Sequence, residues 1–102
     1  MEAHASLVCT LVRAGSKPAR LRGRTEMISR EAITVFTPGE APPALPGTTL
    51  TVWVELPSDA GMTPRALRCI ATVRTLQRLS GFWRTVLDVS QMDFVRRPGA
   101  AA

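Results

Sequence analysis

The residues best equipped to hold a ligand lie between positions 20 and 36. Arg20, Arg22 and Arg24 alternate with Leu21 and Gly23, and Glu26-Met27-Ile28-Ser29-Arg30-Glu31-Ala32 follows directly. Guanidinium groups present planar forks of N–H donors that suit phosphates and guanine edges. At a spacing of two, the three arginines share one face of an extended strand, with Leu21, Gly23 and Thr25 on the other. Three arginines on one strand face call for solvent or for an anion, and the sequence leaves both open.

Catalytic chemistry has no comparable cluster. The chain holds no Ser-His-Asp order, no Cys-His pair, no paired carboxylates in a plausible cleft and no phosphate-cradling glycine loop, so no enzymatic activity is expected. Asp88 and Asp93 read as a strand edge and a terminal cap. Cys9 and Cys69 stand among apolar neighbours, as small core residues do. His4 is the single histidine and metal-ligand spacing is absent, so neither a metal nor a cofactor is expected.

These side chains must be carried by a small framework. At 102 residues with 45% hydrophobic content, the chain has the length for one domain and enough apolar material for a core. No window approaches the roughly 18 consecutive apolar residues of a membrane span. The start, MEAHASLVCTLVRAG, has an acidic residue and no basic n-region, which makes it a poor signal peptide. A soluble, cytoplasmic protein without membrane insertion is the expectation. The net charge of +5 comes from twelve arginines and one lysine against eight carboxylates. That balance fits an anionic partner, although a GC-rich coding genome also favours arginine.

Short β-branched runs separated by turn residues predict strands. The first is expected from about Ser6 to Arg13, before the turn Ala14-Gly15-Ser16-Lys17-Pro18. The second is expected from Arg20 to Ile28 and the third over Ile33-Thr34-Val35-Phe36. The proline-rich run Glu40 to Gly47 cannot enter a ladder and reads as a loop long enough to cover a barrel end. Thr48 to Leu56 alternates most clearly, with Leu50, Val52, Val54 and Leu56 on one face and Trp53 on the other. After a loop from Pro57 to Arg65, Ala66 to Arg78 is long enough for a bulged strand. The turn Leu79-Ser80-Gly81 leads to a last strand from Phe82 to Val89. Gln91 to Arg97 is expected as a short turn or cap, closing a domain of residues 1–97, with a frayed tail over 98–102. The fold class predicted is all-β, a small six-stranded antiparallel β-barrel.

The phrase from Thr25 to Ile33, the proline-bearing loop, Pro46-Gly47-Thr48 and Val52-Trp53-Val54-Glu55-Leu56-Pro57 together resemble the PilZ domain family. Leu67-Arg68-Cys69-Ile70-Ala71-Thr72-Val73-Arg74, followed by a turn and Phe82 to Val89, extends the resemblance over nearly the whole chain. It implies a six-stranded barrel and, for many members, a receptor for the bacterial second messenger cyclic di-GMP. The family reads that ligand with an RxxxR motif ahead of the first barrel strand and a D/N-x-S-x-x-G motif after the second. The second motif aligns with Met27-Ile28-Ser29-Arg30-Glu31-Ala32, where only Ser29 fits. Met27 offers a guanine edge no hydrogen bond, Ala32 replaces the glycine, and Glu31 sets a carboxylate beside the expected phosphates. No arginine precedes the first strand. Arg20 and Arg24 satisfy RxxxR as a string, only two residues before Met27.

The resemblance therefore implies a PilZ-like adaptor in cyclic di-GMP signalling or motility that works by protein–protein contact, with nucleotide binding weak or lost. Trp53, Trp83 and Phe94 are its candidate contact residues, since aromatic and arginine anchors dominate interfaces. The alternative is a cyclic di-GMP receptor with a rearranged site of Ser29, Arg30 and some of Arg20, Arg22 and Arg24. A basic barrel binding single-stranded nucleic acid is a third reading, thinly supported by five aromatics and no tyrosine. A monomer or weak dimer is expected.

Overall fold

The computed structural model describes residues 2–13, 19–57 and 65–96. Among the described residues seven strands occur in chain order: β1 (Glu2–Ala3), β2 (Val8–Arg13), β3 (Ala19–Ser29), β4 (Ala32–Pro38), β5 (Thr49–Glu55), β6 (Arg65–Leu79) and β7 (Phe82–Arg96). They form one sheet in the order β1-β3-β2-β5-β6-β7-β4, and β4 pairs back onto β3. Strands β2 to β7 thus close a six-stranded antiparallel barrel, the predicted fold. The two-residue β1, which alternation could not reveal, adds to β3 through Glu2↔Ser29 and Ala3↔Ile28.

Period-2 patterning explains the core. Leu50, Val52 and Val54 of β5 point inward beside Cys9 and Leu11 of β2 and Leu67, Cys69, Ala71 and Val73 of β6, all buried. Ile33, Val35 and Leu87 complete the cluster, and Ala44 brings the loop after β4 against it. The loop expected to cover a barrel end thus reaches the core through Ala44. Burial pushes the thiol of Cys9 up to about 12 and that of Cys69 to about 11.

Two departures from strict alternation shape the sheet. In β3 the register with β4 shifts between Thr25 and Met27, so Glu26 is left over between Thr25↔Val35 and Met27↔Thr34. In β6 the register with β7 shifts twice, at Ile70/Ala71 and at Val73/Thr75. Gly81 reverses the chain between these two strands at φ 83°, a conformation that suits glycine.

The far end of β7 corrects the sequence reading. Gln91 to Arg97 was expected as a turn or cap, yet β7 continues past Val89 to Arg96, pairing with Arg65 to Ile70. Ser90 is the residue left over at the bulge, and its hydroxyl bonds the Ile70 carbonyl at 3.0 Å. That insertion hides the continuing alternation. Asp93 is accordingly no terminal cap: it stands within β7, 3.1 Å from the guanidinium of Arg68. Asp88 faces outward in the same strand and pairs with Arg74. The expected turn at 14–18, most of the loop at 57–65 and the tail at 98–102 lie outside the described residues.

Candidate binding groove

The barrel's ladder is interrupted on one side. Strand β3 pairs with β2 from Ala19 to Arg24 but with β4 only from Arg24 to Ile28. Beyond Phe36, β4 continues through Thr37 and Pro38 paired, among the described strands, with β7 alone. Their ladder ends at Arg24↔Phe36, and at Gly23 the two strands still touch. A Cβ there would sit 2.4 Å from the Phe36 carbonyl oxygen and 3.0 Å from Thr37 Cγ2. Glycine is the residue that allows this approach, because any side chain would push the walls apart.

Where the strands part, a groove of about 650 Å³ opens, lined by Ser6, Val8, Arg22, Gly23, Arg24, Phe36, Thr37, Pro38 and Phe82. Its apolar surface follows from register. Val8, Arg24, Phe36 and Arg84 are successive cross-strand partners over β2, β3, β4 and β7. Phe36 therefore stands between two arginine positions. Its ring meets that of Phe82 edge to face, centroids 5.5 Å apart.

Three guanidinium groups around this surface have different constraints. Arg24 donates from Nε to Ser6 Oγ at 2.8 Å and from Nη2 to the Ser6 carbonyl at 2.9 Å, which ties β3 to the segment before β2. Arg84 donates to both Glu26 carboxylate oxygens, most closely from Nη2 to Oε1 at 2.8 Å. That hydrogen bond holds the Glu26 carboxyl below its ordinary value and raises the Arg84 guanidinium. Arg22 is the most open, with a 75% exposed side chain and the Glu55 carboxylate 3.9 Å away.

The structure divides the residues singled out from sequence. Arg22 and Arg24 line the groove. Arg20 is exposed and shares their face of β3 without belonging to the lining. Ser29 is buried at the β3–β4 turn, where its hydroxyl accepts from the Ala32 amide at 3.0 Å and the Glu31 amide at 3.3 Å, and donates to the Ala32 carbonyl at 3.1 Å. Arg30 is exposed at the tip of that turn. Ser29 and the groove arginines thus do not form one patch.

The aromatic candidates are also dispersed. Trp53 lies on the outer face of β5, half-buried, with the Arg68 guanidinium 6.0 Å from its ring centroid. Asp93 fixes Arg68 in turn and accepts from Gln91 Nε2 at 2.8 Å, interactions that lower its carboxyl below the ordinary value. Trp83 donates its indole N–H to the Glu40 carbonyl at 3.0 Å. Phe94, eleven residues further along β7, is 73% exposed. Sequence reasoning missed Phe36, Pro38, Phe82 and the role of Gly23. A glycine inside an otherwise regular strand was the available signal.

Among the described residues no three potential metal ligands cluster, and no helix is long and apolar enough to cross a membrane. The sequence matches no protein-family model and no curated protein. Solved structures do resemble it. The inhibitor of motility MotI/DgrA of Bacillus subtilis superposes with a TM-score of 0.67 at 19% identity, over 90% of this chain and 42% of that one. The NADH:FAD oxidoreductase SgcE6 of Streptomyces globisporus C-1027 gives a TM-score of 0.62 at 13% identity, over 97% of this chain and 78% of that one. The chain thus spans less than half the length of the motility inhibitor. At these identities the likeness is one of fold.

Proposed function

We propose that this chain is a PilZ-like regulatory module that acts in the bacterial cytoplasm by binding a protein through the β3–β4 groove. The observation that carries the reading is the groove itself, an aromatic surface of Phe36 and Phe82 beside the exposed guanidinium of Arg22. Interfaces are enriched in such aromatic and arginine anchors. The barrel is shared with a motility inhibitor and with an oxidoreductase alike, so the regulatory reading rests on the groove and not on the fold. Phe94 and Trp53 are secondary contact candidates, since they lie outside the groove lining.

A second reading is direct binding of cyclic di-GMP, for which the pairing of Arg22 and Arg24 with an aromatic wall is the favouring feature. Ser29 speaks against it, because its hydroxyl is engaged in the β3–β4 turn. Calorimetry with cyclic di-GMP at low and near-physiological salt separates the two. The protein-contact reading expects no heat from a folded sample. It also expects a photo-crosslinker at Phe82 to trap a protein in host cells that the same group at Leu45, exposed but outside the groove, does not. Micromolar dinucleotide binding lost in Arg24→Ala would establish the second reading instead.

A further inference from the structure

We infer that the groove receives an extended, acidic segment of the partner, which adds as a strand to the edge of β3 that no described strand pairs. The inference rests on the protein-contact reading and names how the partner is held. Its first support is the backbone. The Thr25 amide bonds the Leu7 carbonyl of the segment entering β2, at 2.9 Å. In an antiparallel ladder the direction of N–H and C=O alternates from residue to residue. Counting back from Thr25, Gly23 and Leu21 turn their backbone groups toward β2, while Arg22 and Arg20 turn theirs the other way. On that side no described strand pairs with β3 before Arg24. Arg22 therefore offers its N–H and C=O groups at the groove and Arg20 offers its own just beyond the lining, a template for strand addition.

The second support is charge. The same two residues carry their guanidinium groups on the outer face, and a strand beside β3 would place alternate side chains opposite them. Carboxylates at those positions would meet Arg20 and Arg22, while Phe36, Pro38 and Phe82 contact apolar atoms of the incoming chain. A second copy of this chain is a poor occupant, because each copy carries a net charge of +5. About four residues of partner would cover the edge from Ala19 to Arg22 at the rise of a β-strand, because β4 already touches Gly23.

The test uses the full chain and a synthetic blocked peptide of alternating glutamate and valine with one central phenylalanine. Binding is followed by fluorescence anisotropy and by amide hydrogen exchange. The expected result is salt-sensitive binding that protects the Arg20 and Arg22 amides, weakens about tenfold in Arg22→Glu, and is lost when the peptide backbone is N-methylated at alternate residues. Equal binding of the N-methylated peptide would overturn strand addition and leave a side-chain groove. Equal binding of a lysine-for-glutamate peptide would overturn the acidic preference. Absence of peptide binding, with the Phe82 crosslink intact, would overturn this inference alone. Absence of the crosslink as well would remove the protein-contact reading on which it rests.

Discussion

Phe36 and Phe82 meet edge to face at 5.5 Å, joining β4 to the first residue of β7 beside the interrupted ladder. The pair forms one wall of the groove and is also part of what keeps the β4–β7 ladder in place up to its end at Pro38↔Phe82. Phe82 remains 36% exposed, so its ring contributes less to the core than a buried one would. A double-mutant cycle of Phe36→Ala and Phe82→Ala in urea is expected to give a coupling of about 0.5–1.5 kcal/mol. Additive losses would show that the two rings act independently.

Gly23→Ala tests the seam. The new methyl would meet the Phe36 carbonyl oxygen at 2.4 Å, and backbone cannot rotate away as a flexible side chain would. A loss of about 1–3 kcal/mol is expected from overpacking. Chemical denaturation reads the loss, and faster amide exchange at Arg24 and Phe36 locates it. A neutral substitution would mean that the strands are already apart.

Glu26 gives a pH prediction with a definite sign. Its folded carboxyl is held below the ordinary 4.5, first by the hydrogen bond from Arg84 and further by that residue's charge. A depressed carboxyl stabilises the fold fully above its unfolded value and loses that contribution as pH falls through the lower folded value. Thermal melts of the wild type and Glu26→Gln should therefore differ near neutrality and converge in acid below pH 4.5. Both partners are partly solvent-exposed, so screening keeps the difference within about 1 kcal/mol.

Cys9 and Cys69 should be chemically silent in the folded barrel. Both are fully buried, and burial pushes their thiols to about 12 and about 11. A thiol reagent at pH 8 is expected to label them only through unfolding, since the thiolate is the reactive form. Labelling rates that track global stability across a denaturant series would agree. Fast stoichiometric labelling in buffer would contradict the core placement.

Trp83 holds the loop after β4 through its indole N–H on the Glu40 carbonyl. Trp83→Phe removes that bond and is expected to cost about 1 kcal/mol. Limited proteolysis should then cut more readily between Glu40 and Gly47, while Trp53→Phe should leave that loop as protected as before.

The barrel was legible because its inward residues repeat at two, most plainly in Leu50, Val52 and Val54. The end of β7 was not, because Ser90 enters the strand without a cross-strand partner and breaks the count that would have carried alternation to Arg96. The groove was legible in half. Arg22 and Arg24 stood out by type and spacing, whereas Phe36 and Phe82 are 46 residues apart in sequence and meet only through the β4–β7 ladder. Ser29 matched a sequence pattern, but its hydroxyl is taken by the Glu31 and Ala32 backbone of the turn, which the pattern does not encode.

The interrupted seam makes occupancy and stability a single equilibrium. On one side β3 belongs with β2, and on the other β4 belongs with β7, so local opening starts where the β3–β4 ladder ends, at Arg24↔Phe36. A molecule held by both walls acts as the missing rungs. Each tenfold rise in its concentration above the dissociation constant should then favour the closed barrel by about 1.4 kcal/mol. Partner binding would be visible as a rise in melting temperature before any partner is identified.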